Sequence, residues 1–125
     1  NTGPFIQYTH ARIKSVLRKA AELGFTPSLT GSSTLELAEK EITLVKLINE
    51  YPTIIQAAAA DLSPAVVANY CFDLAKEFNQ FYHDFSIVKE ENVDLRAFRL
   101  VLAVEVSKVI SAGMALLGID VPERM

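Results

Sequence analysis

Side chains that commonly catalyse reactions or bind metals are few in this sequence and lie far apart. The two histidines, His10 and His83, fall in different predicted helices, and neither has a His, Cys or carboxylate at metal-ligand spacing on its own helix. The sequence contains no glycine-rich phosphate-binding loop, and no spacing argues for a Ser-His-Asp set. We therefore predict no catalytic residue, no metal site and no bound cofactor, and we interpret the chain as a binding domain.

Two further side chains could be reactive, Cys71 and Glu105, but we expect both to have structural roles. Cys71, the single cysteine, lies in an apolar helical run, which is typical of a buried structural thiol rather than a nucleophile. One cysteine cannot form a disulfide within the chain, so we expect a reducing, cytoplasmic compartment. Glu105 is an unusual carboxylate in an apolar helix, and we expect it to pair with an Arg or Lys, such as Arg12 or Arg18, rather than act as an acid or base.

The N-terminal segment is the most basic part of the chain, because no acidic residue precedes Glu22. A basic side of a helix is ordinarily only a solvated face. The net charge of −3 argues against indiscriminate nucleic-acid binding, which needs a strongly basic surface, but it permits a local basic face. Four cations lie on one side of the first predicted helix: Arg12, Lys14, Arg18 and Lys19.

The elements that must position these groups are predicted to be helices. A length of 125 residues, half of them hydrophobic, indicates one globular domain. The segment from Leu95 to Leu117 is apolar around most of its circumference, which is typical of the centre of a bundle, and its four charges make it unsuitable as a membrane span. No signal-peptide pattern is present, and the first residue is Asn1, so we expect a piece of a longer protein.

We predict an all-α bundle of about five helices and no strand. Asn1 or Thr2 can cap the first helix, and the spacing from Ser33 to Glu36 matches a capping box that would begin the second. Pro52 is expected to end that helix and to begin a short one. The predicted helices span about residues 4–23, from the capping box to 50, 53–60, 64 to 83 or 85, and 92 or 94 to 117, with a loop at 24–34.

Both ends of the sequence resemble one family. Residues 1–13, NTGPFIQYTHARI, resemble the segment that opens the C-terminal domain of class I arginyl-tRNA synthetases, usually NTGPY(I/V/L)QYAHAR. Residues 116–125, LLGIDVPERM, resemble the C-terminus of the same enzymes. Phe5 replaces the usual Tyr and Thr9 the usual Ala, which keeps the aromatic and small characters. Because the segments between them also follow the family's order, the resemblance covers the whole chain.

The resemblance implies a single α-helical anticodon-binding domain over residues 1–125, of the type found in class Ia aminoacyl-tRNA synthetases. Such a domain would grip the anticodon arm of tRNA-Arg. The catalytic domain would lie elsewhere in the same polypeptide, because its HIGH-type and KMSK-type signatures are missing from these residues. That domain would bind ATP and Mg and join arginine to the tRNA. For this piece we expect a monomer with no membrane partner.

The resemblance also implies binding residues. Anticodon bases are unstacked, and proteins read such bases by stacking and by hydrogen bonds to their edges. Tyr8 and Tyr82 match family positions where aromatics face the anticodon loop. Met125 matches the terminal methionine, whose side chain and carboxylate reach that loop. The four cations become candidates for phosphate contacts: Arg12, Lys14, Arg18 and Lys19.

Each of these residues also has a structural alternative. Tyr8 and Tyr82 could be packing residues, and His83 could be a cation that favours the C-terminal end of its helix. His10 and Arg12 could join the first helix to the catalytic domain. For the whole chain the alternative is a helical protein-interaction domain that binds no RNA and whose end motifs match by accident.

Overall fold

A computed structural model describes residues 2–125 and contains, within that range, four α-helices and no strand. This confirms the all-helical prediction and corrects the number of helices from five to four. Asn1, one of the two candidate caps, lies outside the described residues. The helices are α1 (Thr2–Glu22), α2 (Glu39–Asp61), α3 (Pro64–Asp84) and α4 (Val93–Leu116), and a short 3-10 turn covers Ser32–Thr34.

The fifth helix was predicted wrongly because α2 continues through Pro52. A proline inside a helix removes one backbone hydrogen bond and usually breaks or kinks the helix. Here Pro52 is exposed, while Tyr51 and Ile54 on either side of it pack against the core. The Tyr70 hydroxyl also donates a hydrogen bond to the Leu47 carbonyl of α2, close to the proline. Packing against α3 therefore keeps α2 helical across Pro52.

The start of α2 was also predicted wrongly. Ser33 lies in the 3-10 turn, and α2 begins at Glu39 rather than within the proposed capping box. The carboxylate that reaches back to the helix start belongs to Glu41, whose Oε1 accepts the backbone N–H of Ala38 at 2.8 Å. This position of the helix start places Glu41 against α4, where it meets a buried arginine.

The last helix, α4, packs against all three other helices, but so does α3, so the two share the central position that the sequence assigned to α4 alone. Helix α4 buries Leu100, Leu102, Val106 and Ile110. Within residues 2–125 no helix is long and apolar enough to cross a membrane. Cys71 is fully buried in the core, as predicted, and this burial raises the pKa of its thiol to about 11.

Glu105 pairs with a basic side chain, as predicted, but that side chain is Lys108 rather than Arg12 or Arg18. The side chain of Glu105 is partly exposed on α4, and its nearest ionic partner is Lys108 on the same helix, at 3.8 Å. Because water solvates much of this carboxylate, it requires no arginine from α1.

We expect Leu102→Ala to lower the free energy of unfolding by about 2–5 kcal/mol, because it deletes buried methyl groups and leaves a cavity. Leu102 is 4% exposed in the middle of α4. Denaturant unfolding measures the change. Leu116→Ala on the same helix is the matched control, since Leu116 is 62% exposed. A loss below about 0.5 kcal/mol for Leu102→Ala would mean that this position is not part of the core.

Candidate nucleic-acid interface

An open cleft of about 780 Å³ lies between α1, the C-terminal end of α3 and the last residues of the chain. Four cations line it: Arg12, Arg18, Lys19 and Arg124. Within residues 2–125 no Asp or Glu side chain lines it. The chain as a whole carries a net charge of −3, so positive charge is concentrated at this cleft. Clefts lined by one sign of charge attract ligands of the opposite sign.

Helix α1 forms one wall of the cleft with side chains that recur every three or four residues. Tyr8, Arg12, Ser15 and Lys19 all line it, as expected for positions that share one face of a helix. The opposite face of α1 is buried through Ile6 and Ile13 and their neighbours. Lys14 lies between these faces and does not line the cleft.

Helix α3 runs in the same direction as α1 and supplies the second wall. Phe5 packs on Phe72 with ring centroids 5.6 Å apart, and Thr9 further along α1 bonds to Asn79 further along α3. This parallel pairing brings the end of α3 beside the middle of α1. Tyr82 and the exposed His83 consequently line the cleft.

The guanidinium of Arg12 lies between two tyrosine rings. Its Cζ atom is 5.0 Å from the centroid of the Tyr8 ring and 4.8 Å from that of Tyr82. Nη2 of Arg12 donates to the Tyr8 hydroxyl at 3.2 Å. The Tyr82 ring is nearly parallel to that of Phe78, which is fully buried, and Tyr8 is 48% exposed. The result is a group of planar, partly exposed surfaces beside positive charge.

The end of the chain returns along α1 and completes the cleft. Ile119 and Val121 pack against the core, and the next residues deliver Arg124 and Met125 to the cleft. Met125 is 71% exposed, so its thioether is open to a ligand. Three side chains of α1 hold this tail: Gln7 donates to the Asp120 carbonyl at 2.9 Å, His10 Nδ1 to the Pro122 carbonyl at 2.7 Å, and Arg18 to the Glu123 carbonyl at 3.2 Å.

The structure brings together six of the seven residues that the sequence singled out for RNA binding. Lys14 is the exception, since it lies outside the cleft. Contact of these residues with RNA stays a prediction, but their common location meets the geometric requirement for one binding surface. The six that line the cleft are Tyr8, Arg12, Arg18, Lys19, Tyr82 and Met125.

Comparison with known proteins adds to this geometry. The profile of the DALR anticodon binding domain family matches residues 6–125. The chain belongs to this family. Among curated proteins, this DALR domain is 58% identical to the arginine–tRNA ligase of Parabacteroides distasonis and 53% identical to that of Bacteroides fragilis, over all 125 residues in both cases. It spans about 21% of the length of these relatives.

Solved structures support the same fold for the DALR domain. The arginyl-tRNA synthetase of Thermus thermophilus matches it with a TM-score of 0.85 and 31% identity, over 98% of this chain and 21% of that one. A putative arginyl-tRNA synthetase from Campylobacter jejuni matches with a TM-score of 0.82 over the whole chain and 27% of its own. At 23% identity this second match shows the fold alone.

Sequence reasoning missed several residues of this DALR domain that shape the cleft. His10 is buried and bound to the tail, so in this structure it contacts the chain's own C-terminal segment. Gln7 has the same function at Asp120. Arg124 lines the cleft beside Met125 and adds a cation that the sequence did not single out. Only its position next to a predicted contact residue could have indicated it.

Proposed function

We propose that this DALR domain binds the anticodon arm of tRNA-Arg and positions it for a catalytic domain in the same polypeptide. The observation that carries the proposal is the cleft itself, in which two tyrosine rings and an exposed methionine share one surface with four cations. Unstacked bases bind aromatic side chains, and phosphates bind Arg and Lys. The sequence relatives are arginine–tRNA ligases, which supports arginine as the amino acid of that tRNA.

The two parts of the cleft suit the two parts of a nucleotide. Tyr8 and Tyr82 offer flat rings to bases, and Met125 offers a pliable apolar side chain that adapts to an irregular partner. The cations further along α1 and at the tail, Lys19 and Arg124, suit the backbone. Lys14 remains a proposed phosphate contact outside the cleft.

We further propose that the complete protein is a cytoplasmic arginine–tRNA ligase that joins arginine to its tRNA. ATP and Mg would bind to its catalytic domain, and residues 1–125 would supply one monomeric tRNA-binding domain without catalytic groups. Within residues 2–125 no group of three or more His, Cys, Asp or Glu side chains is placed to hold a metal ion.

Titration of the purified chain with a fluorescent arginine anticodon stem-loop tests this function. The comparison RNA has the same stem and uridines in place of the anticodon. We expect tighter binding of the arginine stem-loop, with NMR shift changes at Tyr8, Tyr82 and Met125. Equal affinity for both RNAs would reduce the role of the cleft to non-specific attraction. No binding at all would favour the protein-interaction alternative.

Removal of a cation should weaken binding without changing selectivity. We expect Lys19→Ala and Lys14→Ala each to reduce affinity for both stem-loops by the same factor, because a phosphate contact carries no base information. Each should also flatten the dependence of log K on log salt by about 0.7, the value for one lost contact on a single strand. Anisotropy titrations at several salt concentrations measure both quantities.

The control for these variants is Lys46→Ala, an exposed lysine on α2, a helix that makes no contact with α1. It should leave the affinity and the salt slope unchanged. A change in selectivity between the two RNAs on Lys19→Ala would contradict a pure phosphate role.

A further inference from the structure

The position of Arg12 depends on Asn79, a residue of α3 that does not line the cleft. Nη1 of Arg12 donates a hydrogen bond to Oδ1 of Asn79. The amide nitrogen of Asn79 donates to the Thr9 hydroxyl at 2.7 Å and to the Ala75 carbonyl at 3.0 Å. Asn79 thus connects the guanidinium in the cleft to the packed interface between α1 and α3.

The hydrogen-bond partners fix which way the Asn79 amide points. The Thr9 hydroxyl donates its proton to the Phe5 carbonyl at 2.9 Å, so its oxygen can only accept from Asn79. The Ala75 carbonyl is also an acceptor and cannot donate. Both partners therefore require the nitrogen of the amide on their side. The oxygen must then face Arg12, which has only donors to offer.

This network leaves Arg12 both oriented and able to bind. A guanidinium carries five N–H groups, and Arg12 uses one on Asn79 and one on Tyr8. In the part of the chain that the structure describes, no further acceptor is recorded for the remaining three. Because Thr9 is fully buried, the support beneath the guanidinium is part of the packed interior. An arginine held in this way loses less conformational freedom when it binds a ligand.

We propose that Asn79 is a positioning residue of the RNA-binding cleft, and this inference rests on the proposed function. Asn79 fixes the guanidinium of Arg12 between Tyr8 and Tyr82 and thereby presents its remaining N–H groups to the RNA. Thr9 acts one step further back, by fixing Asn79. The family usually has Ala at position 9. In this chain the Thr9 hydroxyl accepts a hydrogen bond from Asn79 and so fixes its position.

The free protein tests the geometric part. The two tyrosine rings should shift the side-chain proton resonances of Arg12 by ring currents. We expect Asn79→Ala to move these resonances toward the values of an unstructured arginine. Thr9→Val, which keeps the shape and removes the hydroxyl, should move them in the same direction by less. Gln80→Ala is the matched control, since Gln80 is exposed on the same helix next to Asn79.

A double-mutant cycle with Arg12→Ala tests the functional part, with the arginine anticodon stem-loop as the probe. We expect Asn79→Ala alone to weaken binding by about fivefold, as for residues coupled through direct contact. When Arg12→Ala is already present, Asn79→Ala should cost less than about twofold, because the residue through which it acts is gone. Thermal melts verify that each variant is folded. If Asn79→Ala is not folded, Thr9→Val replaces it in the cycle.

The outcomes separate this inference from the proposed function. If the unmodified chain and Arg12→Ala differ in stem-loop affinity but Asn79→Ala costs the same in both backgrounds, Asn79 does not act through Arg12 and the inference is overturned. Unchanged Arg12 resonances on Asn79→Ala would overturn it as well. If the unmodified chain does not bind the stem-loop, the proposed function fails, and the inference fails with it.

Discussion

Arg99→Ala is expected to lower the free energy of unfolding by about 3–5 kcal/mol, the range for removing one partner of a buried ion pair. Nε of Arg99 donates to Glu41 Oε2 at 3.1 Å, and Nη1 donates to Glu90 Oε1 at 3.0 Å. Glu41 is only 1% exposed. Without the arginine, its carboxylate stays in the interior with no cation to offset the loss of hydration. Urea unfolding measures the difference.

The effect should extend beyond one ion pair. Glu41 also accepts the N–H of Ala38 through its other oxygen, so Arg99 fixes the start of α2 to α4. The Arg99 guanidinium lies 4.7 Å from the centroid of the Phe85 ring, just after α3. One side chain therefore joins α2, α4 and the connection that follows α3.

Two variants show whether the cost comes from the stranded carboxylate. Replacing the pair together, Arg99→Met with Glu41→Leu, should recover part of the stability, because apolar replacement of a whole buried pair is often neutral. Lys108→Ala removes the exposed partner of Glu105 and should change stability by less than about 0.5 kcal/mol. A loss below about 1 kcal/mol for Arg99→Ala would contradict the role assigned to this cluster.

The same cluster explains which parts of the fold the sequence could predict. Helices α1 and α3 have strong apolar periods, and α4 is a long run that is apolar around most of its circumference; both patterns depend on neighbouring residues alone. The start of α2 depends instead on Glu41 meeting Arg99, which lies 58 positions further along the chain. Its passage through Pro52 likewise depends on packing against α3. Local capping and proline rules failed where long-range contacts were stronger.

In the cleft, too, the sequence predicted some features and could not predict others. Resemblance to a family predicted the contact residues, but it could not say how they meet. That depends on the parallel pairing of α1 with α3 and on the path of the tail. His10 and Pro122 are separated by 112 positions, and no local pattern connects them. The contact of Arg12 with two tyrosine rings also arises only when two helices come together.

The largest functional effect is expected from removing both rings. Tyr8→Ala combined with Tyr82→Ala should weaken binding of the arginine anticodon stem-loop by about a hundredfold, the product of two tenfold losses. A stack on an aromatic ring contributes about 1–3 kcal/mol per base, and about 1.4 kcal/mol corresponds to tenfold in affinity. Each single variant should cost about tenfold, as expected for one stack. Anisotropy titrations measure the affinities.

Phenylalanine variants decide whether the rings act by stacking. Tyr8→Phe with Tyr82→Phe keeps both rings and removes only the hydroxyls, one of which accepts a hydrogen bond from Arg12. If bases stack on the rings, this pair should retain most of the affinity that the alanine pair loses. If both pairs lose the same affinity, the hydroxyls carry the interaction instead.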